Sequence, residues 1–375
     1  MRRATFALLC ATLSVSGQSP LPIRFADAQY TAAVTSDIVY GANQNPWTYT
    51  WDTLKLDLWL PQGDNFPRRP VFIYVHGGQY FYGDKTDGPP RLVLDWFVSR
   101  GWCGISINYR LAPTWNHGGL APGAVSEDAK AAVRWVRKNA STYGLDADRI
   151  AMGGDSVGAV TALMCGYSQW DGNSGNPGYS SRIQCAVDFW GQGVYTVADP
   201  ACAVMVVHGD ADTVIPFTEA LRLKNEATQF KVPCEWTPLS GAGHMPWDRW
   251  DLFKFQLLRF CYDALALEEL AGLDVRMFPN NQLVYDLAGA PGDQVFLLAS
   301  ALQTTTWLPG LGTTYIDPYA FVVLGGATLP GAAVPVSTQI FLQVPTGLTG
   351  TIYAQTLYTR YGYPHRLSNG MRAIY

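Results

Sequence analysis

The chain has 375 residues, of which 48% are hydrophobic and 15% charged, and its mean hydropathy is +0.01. This composition is typical of a globular protein, and the length predicts two domains or one large domain with an appendage. The 26 basic and 30 acidic residues leave a formal charge of −4. Because no basic excess is present to contact phosphates, the charge balance argues against nucleic acid as a partner.

The first 17 residues have the pattern of a signal peptide. Arg2 and Arg3 precede a short apolar run, and Ser16 and Gly17 are small residues of the kind that a signal peptidase accepts. The run is shorter than the roughly 20 apolar residues that cross a bilayer, so we expect no membrane span. A buried N-terminal helix is the alternative. We expect residues 1–17 to be removed and the protein to be secreted, either to the periplasm or outside the cell.

From residue 54 onward, short apolar runs alternate with segments of helical periodicity. This pattern predicts an α/β domain over residues 22–270, with a mostly parallel sheet covered by helices. About a dozen residues separate the fifth and sixth strands, so we expect no large lid and an open cleft. The predicted strands are 54–60, 71–75, 103–109, 149–152, 183–190, 203–207 and 234–238, and the predicted helices include 126–140 and 248–267.

Residues 277–375 differ in composition from the rest of the chain. They contain six charged residues, no lysine and no cysteine, and their short Val, Ile, Tyr and Thr runs are interrupted by Gly and Pro. This pattern predicts a small, antiparallel β-sandwich-like domain, whose role the sequence does not indicate.

Six cysteines follow Cys10, and in an exported protein an even number permits disulfides without requiring them. None has the spacing of a metal site, so we expect no metal, and the disulfide pairing stays open. These cysteines are Cys103, Cys165, Cys185, Cys202, Cys234 and Cys261.

A strand followed by Gly154, Asp155, Ser156, Val157 and Gly158 and then by an apolar helical run is the strongest chemical signal in the chain. The G-x-S-x-G pattern in this context predicts a nucleophilic serine, Ser156, on a tight turn between strand and helix. Glycines flank the serine because larger side chains would collide with the neighbouring strand and helix.

A serine nucleophile needs a histidine base and a carboxylate that orients the histidine. His244 lies in a loop of small residues after the last predicted strand, and we expect it to be the base. The acid is expected in the loop after His208, where Asp212 is favoured over Asp210. The order Ser156, Asp212, His244 is the one that G-x-S-x-G hydrolases have.

A negative charge that develops on the substrate oxygen needs backbone N–H donors held in advance. We expect these donors to be the N–H groups of Gly78, Gln79 and Val157. The first two lie in a glycine-containing loop after the second predicted strand, and His76 in that loop is interpreted as an anchor.

These motifs resemble the esterase branch of the α/β-hydrolase superfamily over about residues 35–265, most closely bacterial feruloyl and carbohydrate esterases, with some hormone-sensitive-lipase-like motifs. The resemblance implies the α/β-hydrolase fold and a serine esterase without a cofactor. Gln79 stands where the family usually has a third glycine. The motifs are the segments 56–61, 76–78, 83–85, 108–113, 154–156 and 208–212.

Aromatic residues near the expected cleft suggest stacking on an aromatic acyl group or a sugar, with Tyr80 and Trp247 as the favoured substrate contacts. The sequence thus predicts a carboxylic ester hydrolase acting on feruloyl or acetyl esters of plant polysaccharide, a substrate that is polymer-borne. A peptidase of the same superfamily, an aromatic polyester hydrolase and an inactive scaffold with a binding β-module are the alternatives. The oligomeric state stays open.

Overall fold

The computed structural model describes residues 25–26, 28–116 and 121–267, and after them the backbones of the strands between 273 and 374. The chain forms two compact units, and the larger comprises residues 27–265. The predicted signal peptide lies outside the described residues. None of the described helices is both long and apolar enough to cross a membrane.

An eight-stranded sheet with the order β1-β2-β4-β3-β5-β6-β7-β8 forms the centre of the larger unit. β2 pairs antiparallel with β1 and β4, and all other neighbours are parallel. The sheet confirms the predicted α/β-hydrolase architecture. The strands are β1 Ala32–Gln44, β2 Trp51–Pro61, β3 Arg69–Val75, β4 Cys103–Ile107, β5 Leu145–Asp155, β6 Cys185–Phe189, β7 Ala203–Gly209 and β8 Cys234–Leu239.

All seven predicted strands are present, whereas β1 was not predicted. β1 is an edge strand whose residues are mostly exposed or half-buried, so it has no apolar run that would indicate it. The helices also include three that the sequence pattern did not indicate, α1, α3 and α5. The helices are α1 Pro89–Val98, α2 Ala121–Lys138, α3 Ala140–Tyr143, α4 Val157–Tyr167, α5 Phe217–Phe230 and α6 Trp250–Ala264, with a 3₁₀-helix at Trp247–Arg249.

Helices cover the sheet on both faces, which explains why the parallel strands are almost continuously apolar. Successive side chains of β3 point to opposite faces. Val71 and Ile73 belong to the large core that also contains residues of α2 and α4. Between them, Phe72 stacks on Phe97 of α1, with ring centroids 4.4 Å apart.

A buried charge network ties the segment after β4 to α2 and β1. The guanidinium of Arg110 donates to the carboxylates of Asp128 and Glu127 in α2, to the carbonyl oxygen of Gln44 and to Ser174 Oγ. Hydrogen bonds to each of these acceptors compensate the desolvation of the buried guanidinium. The network holds the end of β1 and the residues after β4 at the carboxyl edge of the parallel strands.

The cysteines after Cys10 are free thiols, and five of the six are buried. The described residues contain no disulfide, although Cys185 and Cys261 approach to 3.9 Å between their Sγ atoms. Buried cysteine commonly serves as a small hydrophobic residue.

The described residues of the second unit form ten strands, and every pairing between these strands is antiparallel. This agrees with the all-β prediction for residues 277–375, while the sandwich arrangement and the domain boundaries stay predictions. The strands are β9 Leu273–Phe278, β10 Gln282–Gly289, β11 Gln294–Ser300, β12 Gln303–Leu308, β13 Gly312–Ile316, β14 Val322–Thr328, β15 Val336–Gln343, β16 Thr351–Thr359, β17 Arg366–Leu367 and β18 Met371–Ile374.

Candidate active site

Ser156 occupies a strained turn between β5 and α4. Its backbone has φ 54° and ψ −118°, a positive φ that residues other than glycine rarely adopt. The backbone N–H of Ser156 donates to the carbonyl oxygen of Phe189 at the end of β6, over 3.0 Å. This bond and the adjoining helix hold the strained conformation and fix the position of the Ser156 side chain.

The two glycines that flank Ser156 are required by the close approach of β3. A Cβ atom on either Gly154 or Gly158 would collide with the carbonyl oxygen of Val75, the last residue of β3. The G-x-S-x-G pattern is therefore a packing requirement between β3 and the turn. It sets the distance between the serine and the loop that follows β3.

His244 connects Ser156 to Asp212 through hydrogen bonds on its two ring nitrogens. Nε2 lies 3.1 Å from Ser156 Oγ, and Nδ1 lies 2.7 Å from Asp212 Oδ2. Because the carboxylate accepts only from a protonated nitrogen, the neutral ring carries its proton on Nδ1. Nε2 is then free to accept the Ser156 hydroxyl proton, as a general base must.

Asp212 is the acidic partner of His244, and Asp210 has a different position. The other carboxylate oxygen of Asp212 accepts the N–H groups of Val214 at 2.8 Å and Ile215 at 3.0 Å. Burial acts to raise the pKa of Asp212, but the hydrogen bonds from His244 and from these backbone groups outweigh it and lower the pKa. The Asp212 carboxylate therefore stays ionised opposite His244.

Asp210 instead fixes the loop that carries His244. Its Oδ1 accepts the backbone N–H of Gly241 over 2.6 Å, three residues before the histidine. Sequence spacing left the choice between Asp210 and Asp212 open. In the structure, Asp212 contacts the imidazole ring and Asp210 contacts the loop backbone.

His208, at the end of β7, supports Asp212 in a way that sequence reasoning missed. Its fully buried ring donates from Nε2 to the carbonyl oxygen of Ile215 at 3.0 Å and lies 3.3 Å from Asp212 Oδ2. Burial lowers the pKa of His208, so the ring is neutral at pH 7. Its position four residues before Asp212 in the same loop is the only sequence signal that could have indicated it.

The loop after β3 carries two of the expected oxyanion donors. Gly78 has φ 109° and Gln79 has φ 52°, and among the described residues no backbone hydrogen bond occupies the N–H of either. Val157 is the first residue of α4, so its N–H is one that no carbonyl within the helix accepts. The three N–H groups thus remain available to a bound anion.

Asp155 holds this loop against the turn that carries Ser156. Its Oδ1 accepts the hydroxyl of Tyr74 at 2.7 Å and the backbone N–H of Gly77 at 3.0 Å. His76 stacks on Tyr109, with ring centroids 4.3 Å apart, which agrees with the prediction that it anchors the loop. His117 and His365 lie outside the described residues.

The two aromatic residues expected to contact substrate have different surroundings. Tyr80 is 5% exposed and packs in the hydrophobic core, and its carbonyl oxygen accepts the N–H of Ala112. This burial argues against the predicted substrate contact, because the strained loop turns the Tyr80 ring inward. Trp247 is partly exposed, three residues after His244, and its ring lies against that of Trp190.

Asp188 is a buried carboxyl group behind the nucleophile turn that the sequence interpretation did not single out. It lies near the end of β6 and is fully buried, and its Oδ1 accepts the N–H of Gly191 over 2.6 Å. Its Oδ2 has no partner among the described residues. A Cβ on Gly191 would lie 3.0 Å from the carbonyl oxygen of Ser156, so Asp188 fixes a segment that packs against the turn. The sequence signal that could have indicated this carboxyl group is a single aspartate within an otherwise apolar strand.

No three His, Cys, Asp or Glu side chains in the described parts of the chain are grouped as a metal site would need. The arrangement of the site is that of a nucleophile, a base and a carboxylate, with backbone N–H donors beside them.

Parts of this chain are similar to known proteins. Residues 56–196 match the BD-FAE family model. Esterase LipQ of Mycobacterium tuberculosis is 35% identical over 167 residues, which cover 43% of this chain and 36% of LipQ. Phenmedipham hydrolase of Pseudarthrobacter oxydans is 36% identical over 125 residues, 33% of this chain and 24% of that protein. The chain therefore spans about a third or less of the length of these curated relatives.

Among solved structures, a thermophilic esterase of Thermogutta terrifontis matches with a TM-score of 0.51 and 21% identity. The match covers 64% of this chain and 94% of that protein. At this level of identity the match supports the fold only, and it covers a share of the chain similar to that of the larger unit.

The buried carboxyl group of Asp188 should make the free energy of unfolding depend on pH. Burial raises its pKa to about 7, compared with about 3.9 in an unfolded chain. Between about pH 4 and pH 7 the unfolded chain releases this proton while the folded protein keeps it. The contribution of Asp188 to the free energy of unfolding should therefore fall by about 4 kcal/mol over that interval.

Asp188→Asn cannot ionise and keeps an oxygen for the Gly191 N–H, so its unfolding free energy should depend less on pH in this interval. Urea unfolding at several pH values measures the difference, with Asp248→Asn, whose side chain is 78% exposed, as the control. Equal pH dependence in wild type and Asp188→Asn would contradict the raised pKa.

Proposed function

We propose that this chain, a member of the α/β-hydrolase superfamily, is a serine carboxylic ester hydrolase that acts through an acyl-enzyme. The observation that carries the proposal is the position of His244, whose ring nitrogens lie 3.1 Å from Ser156 Oγ and 2.7 Å from Asp212 Oδ2. An imidazole held in this way can take a proton from the serine while the carboxylate stabilises the resulting imidazolium. The named relatives, an esterase and another hydrolase, support the same chemistry.

In the first half of the reaction, Ser156 Oγ attacks the ester carbonyl carbon and its proton passes to His244 Nε2. The carbonyl π electrons move to the oxygen, which becomes the oxyanion of a tetrahedral intermediate. Backbone N–H groups of Gly78, Gln79 and Val157 are the donors proposed to bind this oxyanion. When the intermediate collapses, the bond to the alcohol oxygen breaks, and His244 returns its proton to that oxygen.

In the second half, His244 takes a proton from water, and the hydroxide oxygen attacks the acyl carbon. A second tetrahedral intermediate then releases the carboxylic acid and restores the Ser156 hydroxyl with the proton from His244. Asp212 does not take up a proton in either half. It keeps Nδ1 protonated and offsets the charge of the imidazolium.

We further propose feruloyl or acetyl esters of plant polysaccharide as substrates. The segment between β6 and β7 contains no helix, so nothing in that short connection covers the site as a large lid would. Trp247 is partly exposed beside His244 and offers an aromatic face for stacking. The absence of a helix in this connection and the partly exposed aromatic face both suit a bulky ester better than a small one.

Replacement of the nucleophile tests the proposed mechanism. Ser156→Ala should reduce kcat by at least about 10⁴-fold, because no other group would form the acyl-enzyme. Hydrolysis of p-nitrophenyl acetate, methyl ferulate and a long-chain ester is the measurement, and the ratio of ferulate to acetate turnover distinguishes the two acyl groups. Ser36→Ala, at an exposed position in β1, is the control. Retention of activity by Ser156→Ala would refute the mechanism.

Gly78→Ala tests the proposed oxyanion donors. A Cβ at this residue would collide with the carbonyl oxygen of Tyr82 and displace the loop. We expect kcat to fall by about 10²- to 10³-fold, the usual effect of losing one donor. Gly63→Ala is a matched control, since Gly63 also has positive φ, at 79°, but its Cβ would meet no atom within 4 Å. Similar kcat values in the two variants would argue against this loop as the oxyanion site.

Secretion is part of the proposal and rests on the sequence of residues 1–17. Expression of the full chain in a bacterial host should give an exported protein whose N-terminus starts near residue 18, as the small residues there allow. N-terminal sequencing of the protein from the periplasmic and extracellular fractions measures this, and a chain that remains in the cytoplasm with residues 1–17 intact would exclude it.

A further inference from the structure

A cavity of about 380 Å³ opens beside the loop that carries the proposed oxyanion donors. Asn108 and Tyr109, which follow β4 directly, form part of its wall. Since β2 runs antiparallel to β4, Trp51 at the start of β2 lies at the same sheet edge. That edge also carries Ser156. The cavity is lined by Trp51, Asp52, Thr53, Leu54, Gly83, Asp84, Asn108, Tyr109 and Leu111.

The cavity wall contacts the oxyanion loop directly. The hydroxyl of Tyr109 lies 2.9 Å from the carbonyl oxygen of His76 and 3.1 Å from that of Gly77. On the same wall, a Cβ atom on Gly83 would collide with the His76 imidazole. A molecule in the cavity would thus lie on the other side of a single loop from an ester bound at Ser156.

The polar groups of the wall are acceptors suited to hydroxyl groups. Asp52 accepts one bond from Asn45 at 2.8 Å. Asp84 accepts three, one from Asn108 at 2.7 Å on its Oδ2 and two on its Oδ1, from the backbone N–H and the hydroxyl of Thr86 at 2.9 Å and 2.7 Å. An ionised carboxylate has about four acceptor positions, so both retain acceptor capacity. Among the described residues, no Lys, Arg or His lines the cavity, and two carboxylates disfavour an anionic ligand. Asp52 and Asp84 do not belong to any metal-type cluster in the described residues.

An exposed aromatic side chain stands at the mouth of this polar wall. Trp51 is 72% exposed, and Tyr49, two residues earlier in the β1–β2 turn, is 74% exposed. The turn is held in place because Asn45 N–H donates to the carbonyl oxygen of Thr50 at 2.7 Å and Asn45 Nδ2 donates to that of Leu111 at 3.1 Å. An exposed indole on this turn, beside hydroxyl acceptors, presents both surfaces that a sugar ring needs, one apolar and one polar.

We propose that this cavity is a subsite for a neutral sugar unit of a glycan chain, with Trp51 stacking on the ring and Asp52, Asp84 and Asn108 bonding its hydroxyls. The proposal rests on the ester hydrolase function proposed above, because the sugar belongs to the alcohol portion of a polymer-borne ester. The subsite would select esters by their alcohol portion, while the acyl group binds elsewhere.

Binding of unesterified xylotetraose to the full chain tests the subsite without relying on hydrolysis. Trp51→Ala should weaken the affinity by about ten-fold, and Thr53→Trp, which fills the cavity from an exposed position, should weaken it as well. Trp170→Ala removes an indole that is 58% exposed and lines no part of this cavity, and it should leave the affinity unchanged. Isothermal titration calorimetry is the measurement.

A second measurement compares kcat/KM for a feruloylated xylo-oligosaccharide and for methyl ferulate, which have the same acyl group. Trp51→Ala should lower the first about ten-fold and leave the second unchanged. If wild type hydrolyses neither ester but xylotetraose binding still depends on Trp51, the subsite stands and the esterase proposal fails. The subsite is overturned if xylotetraose does not bind, or if it binds equally well to wild type and to Trp51→Ala. It is also overturned if Trp51→Ala lowers kcat/KM for both esters alike.

Discussion

The close contact between the end of β3 and the turn after β5 is the constraint on which the site depends. The carbonyl oxygen of Val75 leaves no room for a side chain at Gly154 or Gly158. Since β3 and β5 are adjacent parallel strands, this contact brings the serine turn and the loop after β3 together at one sheet edge. Asp155 then links the two by accepting the N–H of Gly77. The proposed nucleophile and the proposed oxyanion donors are thus positioned by one packing contact.

The proposed base and acid are held by a separate set of polar contacts, at the ends of β7 and β8. Asp210 fixes the backbone before His244 through the Gly241 N–H, and Asp212 orients the ring. Behind them, the neutral ring of His208 closes the loop by donating to the carbonyl of Ile215. Such buried polar groups stabilise a single arrangement because each lost hydrogen bond would leave a desolvated partner. The loops thus keep His244 in place without help from the substrate.

Much of the fold follows from local patterns in the chain. The central strands of the sheet were predictable because strands covered on both faces must be apolar. β1 was not, because it is an edge strand with mostly exposed residues, and α1 was not, because it begins with Pro89 and Pro90, which are typical of loops as well as of a first helical turn. Where an element is buried on one side only, or only slightly, its sequence pattern carries little information about its secondary structure.

The sequence by itself determined the residues on which the proposed chemistry rests: the serine between two glycines, the histidine in a loop of small residues and the aspartates after β7. Only the tertiary structure decided between Asp210 and Asp212 and showed that Tyr80 is buried in the core. It also placed the carboxyl group of Asp188 behind the turn that carries Ser156. The physical reason is that a motif reports the local backbone geometry that a residue requires. Which groups meet, and which lose water, depends on packing between segments far apart in the chain.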